Sequence, residues 1–165
     1  MTFLSWRKDY AVGVPQIDAE HRSLFGLVND FHETYTRDGG GSETHRMLNR
    51  LVAYADEHFQ HEETLMSEND YPLLEKHQQL HSDLVASVFR INERLAADPA
   101  RAGAETLQFV KKWLHDHILQ DDMDIADFLR RKAEQANKVQ RDEPIDRLKD
   151  STSPPVPSNS PTRAP

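Results

Sequence analysis

The sequence predicts an all-α fold: an antiparallel up-down-up-down four-helix bundle with an N-terminal arm and a disordered C-terminal tail. Three observations predict it. Four long segments repeat apolar residues at helical spacing, with no strand-like alternation of useful length. Breaker clusters separate them, at Gly39-Gly40-Gly41-Ser42, Asn69-Asp70-Tyr71-Pro72 and Asp98-Pro99. Connections this short join antiparallel neighbours. A chain of 165 residues has room for one domain with a real core, assigned here to residues 1–137, with 138–165 as a flexible Pro/Ser-rich tail.

The first helix is expected from about Asp18 to Thr36, with Ile17, His21, Leu24, Val28, Phe31 and Tyr35 on one stripe. Asp18, just after Pro15, reads as its N-cap. Ser42 reads as the cap of the second helix, whose inner stripe is Leu48, Leu51, Ala55, His58, Glu62 and Leu65. Pro72 suits the first turn of the third helix, with Leu73, His77, Leu80, His81, Leu84, Val88, Ile91 and Leu95 inward. Asp98-Pro99 is expected to close that helix. The fourth begins near Ala102 and presents Leu107, Val110, Leu114, His117 and Ile118, then Ile125 and Phe128 beyond an acidic patch. Residues 1–16 read as an irregular arm, with Trp6 and Val12 available to pack it. Ser151–Pro165 holds five of the nine prolines and only Val156 as a large apolar residue, too little to offset the entropy of ordering.

Composition narrows the function. A formal net charge of −8 argues against a nucleic-acid partner, which needs a basic face. No run approaches the roughly 18 apolar residues of a membrane span, and the N-terminus lacks a secretory layout. No cysteine is present, so disulfides, thiolate metal sites and haem attachment are excluded. A cytoplasmic monomer without membrane insertion is expected. Nine histidines are the one oddity.

His21, His58, Glu62, His77, His81 and His117 all stand where a bundle wants Leu or Ile. A lone core histidine is ordinarily a hydrogen-bonded structural residue, and His21 by itself reads that way. Six buried polar groups without compensation are another matter, since each costs several kcal/mol and a domain of this size is stable by only about 5–15 kcal/mol. Metal coordination compensates them together. His58 and Glu62, and again His77 and His81, are four residues apart and share a helix face. His32, His45, His61 and His115 fall on polar faces or flanks and read as solvated. Glu63 points away from the Glu62 face. Asp121-Asp122-Met123-Asp124 lacks the glycine and closing glutamate of a calcium loop. One acid there should be a ligand, and spacing leaves it open. Asp121 lies four after His117, the easier helical geometry, whereas Asp122 lies on the flank of the apolar stripe.

Five pieces carry a resemblance to the hemerythrin family, over about residues 1–135. They are Gly13-Val-Pro-Gln-Ile-Asp-Ala-Glu-His21, His58-Phe-Gln-His-Glu62-Glu63, Tyr71-Pro72, His77-Gln-Gln-Leu-His81 and Trp113-Leu-His-Asp-His117-Ile-Leu-Gln-Asp-Asp122. The resemblance selects Asp122 as the acidic ligand. It implies one iron on His21 and His58, another on His77, His81 and His117, and Glu62 and Asp122 as bridges beside an oxo or hydroxo group. The two-histidine iron then has an open position for dioxygen. The resemblance also makes Phe59, Trp113, Leu114 and Ile118 the apolar wall of an oxygen pocket, although ordinary core packing explains them equally well. Reversible dioxygen binding for storage, delivery or sensing is the function implied, rather than catalysis, with an unidentified protein as oxygen or electron acceptor. The alternatives are a di-iron enzyme acting on peroxide or nitric oxide, which needs a proton donor that no inward Tyr or extra Glu supplies, and an iron-holding or metal-sensing module. The Pro-rich extension after about residue 138 departs from the compact single-domain members.

Overall fold

In the computed structural model, residues 2–95 and 98–142 are described, and the chain divides into two units, 1–130 and 131–165. The first carries the bundle; of the tail expected over 138–165, residues 138–142 are instead helical, and 143–165 lie outside the described part. A 3₁₀ turn at Lys8–Tyr10 leads to α1 (Pro15–Asp38), α2 (Ser42–Glu68), α3 (Leu74–Leu95) and α4 (Pro99–His117). A π-helical turn at Ile118–Asp122 then leads directly into α5 (Met123–Asp142). Helix α1 packs on α2, α2 on α3, α3 on α4 and α4 back on α1, closing the expected four-helix bundle. No described helix is long and apolar enough to cross a membrane.

The helix ends differ from expectation in instructive ways. Pro15 occupies the first turn of α1, where its missing N–H costs nothing, so the helix starts before Asp18. Asp18 is therefore no N-cap. Its buried carboxylate reaches back to accept the N–H groups of Val12 and Gly13 at 2.7 and 3.2 Å, tying down the arm. Gly39, at φ +63°, supplies the left-handed residue that ends α1. Gly41, not Ser42, is the N-cap of α2, and the Asp38 carboxylate accepts Thr44 N–H instead. Asp98-Pro99 opens α4 rather than closing α3: Asp98 accepts Arg101 N–H, and Pro99 takes the first turn.

The inward stripes are buried as the spacing requires, from Leu24, Val28 and Phe31 on α1 to Leu107, Val110 and Leu114 on α4. Leu73 is 46% exposed, because both it and Pro72 precede α3. Tyr35, Ala55, Leu65, Leu80 and Phe128 are only half-buried, with Met66 rather than Leu65 fully buried on α2, and the side chain of Leu95 lies outside the described residues. The arm is fastened by Asn29, whose side chain bonds both Leu4 N–H and Leu4 C=O. Leu4 and Tyr10 are buried, and Trp6 and Val12 pack on the core. A large apolar side chain so buried contributes about 1.5–3 kcal/mol, enough to hold a short arm in place.

Candidate metal centre

Each helix of the bundle delivers its polar residues to one level. His21 comes from α1, His58 and Glu62 from α2, His77 and His81 from α3, His117 from α4, and Asp122 from the end of the π turn. All are at most 3% exposed. They gather into two groups around Glu62, one with His21 and His58, the other with His77, His81 and His117. Ligand atoms within each group lie within 4.8 Å of one another.

The two carboxylates face both groups. Glu62 Oε1 lies 3.5 Å from His21 Nε2 and 3.3 Å from His58 Nε2, while Oε2 lies 3.7 Å from His77 Nε2 and 3.3 Å from His81 Nε2. Asp122 turns Oδ2 to His21 at 3.3 Å, and Oδ1 to His77 and His117 at 3.5 and 3.1 Å. One oxygen for each group is the disposition of a bridging carboxylate.

The π turn explains why Asp122 arrives there. Met123 N–H bonds back five residues to Ile118 C=O, so the local helix is one residue wider per turn. A residue five after His117 then returns to the face that an ordinary helix gives to the fourth. Asp121 goes to the outer side, where its carboxylate meets His117 Nδ1 at 3.2 Å.

That contact is one of three alike. Glu20 Oε2 lies 2.9 Å from His58 Nδ1, and Glu63 Oε1 lies 2.9 Å from His81 Nδ1. An acceptor on the outer nitrogen fixes the ring and turns Nε2 toward the centre, the usual support for a metal-binding histidine; there the Nε2 atoms of His81 and His117 lie 3.2 Å apart. These three acids are invisible as a set in the sequence. Glu63 does leave the Glu62 face, as expected, but toward His81 rather than solvent. The solvated reading of the other histidines also needs correction. His61 Nδ1 shares Glu20 at 2.8 Å, His115 Nδ1 meets buried Tyr10 Oη at 2.8 Å, His32 stacks on Phe3, and His45 Nδ1 contacts Gly41 C=O. All four are half-buried.

Electrostatics at the level follow from burial opposed by neighbours. Burial pushes the His21 imidazolium down, but Asp122 and Glu62 overcome it and hold its pKa at about 9. Burial likewise opposes a charged His117, and Asp122, Asp121 and Glu62 outweigh it to raise its pKa. Burial raises Glu62, yet His58 and the other imidazoles hold it well below the ordinary carboxylate range. His117 lowers Asp121, and His58, Gln16 and His61 lower Glu20 against burial.

Both nitrogens of His21, His77 Nε2 and all four oxygens of Glu62 and Asp122 are buried without a hydrogen-bond partner. Their mutual contacts are close but misaligned for hydrogen bonds. Orphans on this scale are rare in folded proteins, and cations among them satisfy the inward-facing atoms together. Imidazoles and carboxylates suit iron, so the residues fit the metal pair that the resemblance implies. A metal takes neutral imidazole, whereas His21 with a pKa of about 9 is protonated at pH 7. Metal uptake near pH 7 should therefore release protons, and the release should shrink as pH rises through about 9. A pH-indicator titration checks this, and uptake at pH 7 without proton release would contradict it.

Around the level, Phe59 stacks on His81 at 3.8 Å between ring centroids, Trp113 stacks on His117 at 4.3 Å, and Ile118 is fully buried. One helical turn along lie Leu24, Ala55, Leu84 and Leu114, spaced three residues from His21, His58, His81 and His117. With Trp113 and further Leu and Val residues they line an apolar cavity of about 40 Å³. Phe59 and Ile118 do not line it.

Residues 12–129 match the family model described as the hemerythrin HHE cation binding domain. The chain belongs to the hemerythrin family. Among similar proteins is the bacteriohemerythrin of Methylococcus capsulatus, 30% identical over 119 residues, covering 72% of this chain and 90% of that one. The myohemerythrin of Theromyzon tessulatum is 31% identical over 113 residues, covering 68% and 82%. Two crystal structures of hemerythrin variants, with one leucine replaced by tyrosine or by alanine, superpose with TM-score 0.66 at 28% identity, covering 74% of this chain and 94% of theirs. Hemerythrin relatives thus match the bundle and the stretch of chain carrying its buried His/Glu level.

Proposed function

We propose that this hemerythrin-family chain binds dioxygen reversibly at a carboxylate-bridged pair of irons. The carrying observation is the division of Glu62 and Asp122 between a two-histidine and a three-histidine group. His21 and His58 would hold one iron; His77, His81 and His117 would hold the other. The pair with two histidines has fewer protein ligands and is where a small ligand would enter. Iron held there would supply the electrons that dioxygen takes up on binding and returns on release. The chain's own residues keep that exchange clean. Glu20, Glu63 and Asp121 hold three imidazoles in register from outside. Leu24, Ala55, Leu84 and Leu114 present a dry face to the adjacent cavity, which suits an apolar diatomic and offers water no partner. The side chains that line that cavity are those of Leu, Val and Ala residues and Trp113.

The protein reconstituted with iron is expected to hold close to two irons per chain. Its reduced spectrum should change on exposure to air and return under argon. A single ion per chain sinks the paired centre. Oxidation in one pass without return sinks reversible carriage.

A further inference from the structure

Tyr10 is a buried phenol that the proposed function does not use. It is 4% exposed, and it is brought to the bundle by the 3₁₀ turn, which packs near the π turn. Its hydroxyl lies 2.8 Å from His115 Nδ1, within the reach needed to pass a proton. Its ring centroid is 5.7 Å from that of Trp6, and Trp6 is 6.5 Å from His21. A continuous aromatic line therefore runs from the proposed two-histidine iron to a phenol with its own proton acceptor. Trp113 also touches the level, but its ring contacts are Phe59 and His117, neither of which gives up an electron readily.

We propose that Trp6, Tyr10 and His115 form a radical-transfer chain that carries oxidising equivalents away from the metal centre. The proposal rests on the di-iron reading only for its starting point. The oxidant is hydrogen peroxide, which needs two electrons and two protons to become two waters. An electron vacancy that peroxide leaves at the centre is filled by an electron from Trp6. Tyr10 refills Trp6, and its phenolic proton crosses to His115 Nδ1. The centre has then gained one electron, Tyr10 is a neutral phenoxyl radical, and His115 carries the proton. An external one-electron reductant such as ascorbate restores Tyr10, and a second transit supplies the second electron, with the two protons drawn from solvent. Arg22 gives the chain its direction. Its guanidinium stands 4.9 Å over the Trp6 ring, which disfavours a cation radical there. A neutral phenoxyl avoids that repulsion, so the vacancy passes Trp6 and comes to rest on Tyr10.

The test uses the full chain in two arms. In metal-free protein, azide radicals from pulse radiolysis oxidise tryptophan, and absorbance follows its conversion to tyrosyl. A phase independent of protein concentration is expected. Trp6→Phe and Tyr10→Phe should each lose it, whereas Tyr54→Phe should retain it. Both aromatic replacements keep the ring packing, and circular dichroism checks the fold. Survival of the phase in Tyr10→Phe overturns the chain. In iron-loaded protein of measured iron content, hydrogen peroxide should give a frozen-solution tyrosyl resonance that is absent from Tyr10→Phe at equal iron. Transfer in the first arm with no tyrosyl in the second overturns the drainage role while leaving the di-iron reading intact. Failure to load an iron pair sinks that reading and the drainage role, and the first arm still decides the Trp6–Tyr10 connection.

Discussion

Asp122→Ala is expected to lose the iron pair, whereas Asp121→Ala should keep it. Asp122 places its two oxygens within 3.1 to 3.5 Å of His21, His77 and His117, so its removal opens both halves of the level. Two cations held on adjoining groups of ligands would repel strongly, and an anion shared between the groups would make such a pair tolerable. Glu62 alone leaves that repulsion half-compensated. The variant should therefore bind at most one iron tightly, with the paired-iron spectrum gone. Asp121 meets His117 Nδ1 from outside. Losing such an outer acceptor typically weakens metal affinity by about 10–100-fold while leaving the coordinating atoms in place. Asp121→Ala should thus give the native spectrum at saturating iron and a lower affinity in competition with a chelator. Iron analysis and optical titration of both variants check the pair. The reverse pattern would mean that Asp121 swings inward when metal binds and that the π turn straightens.

This pair of residues also marks where the sequence is legible and where it is not. Helical periodicity locates the inward histidines, because a stripe of Leu and Val interrupted by imidazole reports burial directly. The same periodicity assigns His117 a partner four residues on, since it presumes an ordinary helix throughout. The extra residue per turn at Ile118–Asp122 is a local backbone choice with no compositional mark, so spacing leaves the two acids undecided. Glu20 and Glu63 escape sequence reasoning for a different reason. Each meets a histidine on another helix, and single-helix periodicity says nothing of what lies across an interface. Periodicity does place Glu63 off the inward face, and the structure agrees that far. Tyr10 lies in an arm with no periodicity at all, and its burial follows from the contacts that Asp18 and Asn29 make with the backbone around it. Asp98-Pro99 reads as a stop, yet the same dipeptide also starts helices; with α3 and α4 so close in sequence, either reading fits the residues.

Leu114→Ala should still bind two irons yet lose its oxygen-induced spectrum faster than the native protein. Leu114 is 3% exposed and stands one turn before His117, between the apolar cavity and the metal level. The cavity of about 40 Å³ already exceeds the roughly 10–15 Å³ that one water needs, but its apolar lining gives water nothing to bond. Replacing Leu114 adds space on the side that faces His117 and Asp122. Water entering there finds polar partners, which the native cavity withholds. The fold should survive, since a buried Leu→Ala costs about 2–5 kcal/mol and the metal pair adds its own stabilisation. If the added water lowers the barrier to oxidative loss by only about 1.4 kcal/mol, the spectrum decays tenfold faster. Repeated cycles of air and argon, followed optically on both proteins at equal iron content, measure the difference. Equal decay rates would show that Leu114 packs the core without guarding the centre. Faster decay in the variant alone would make dryness, rather than the ligand set, the property that lets this centre release what it binds.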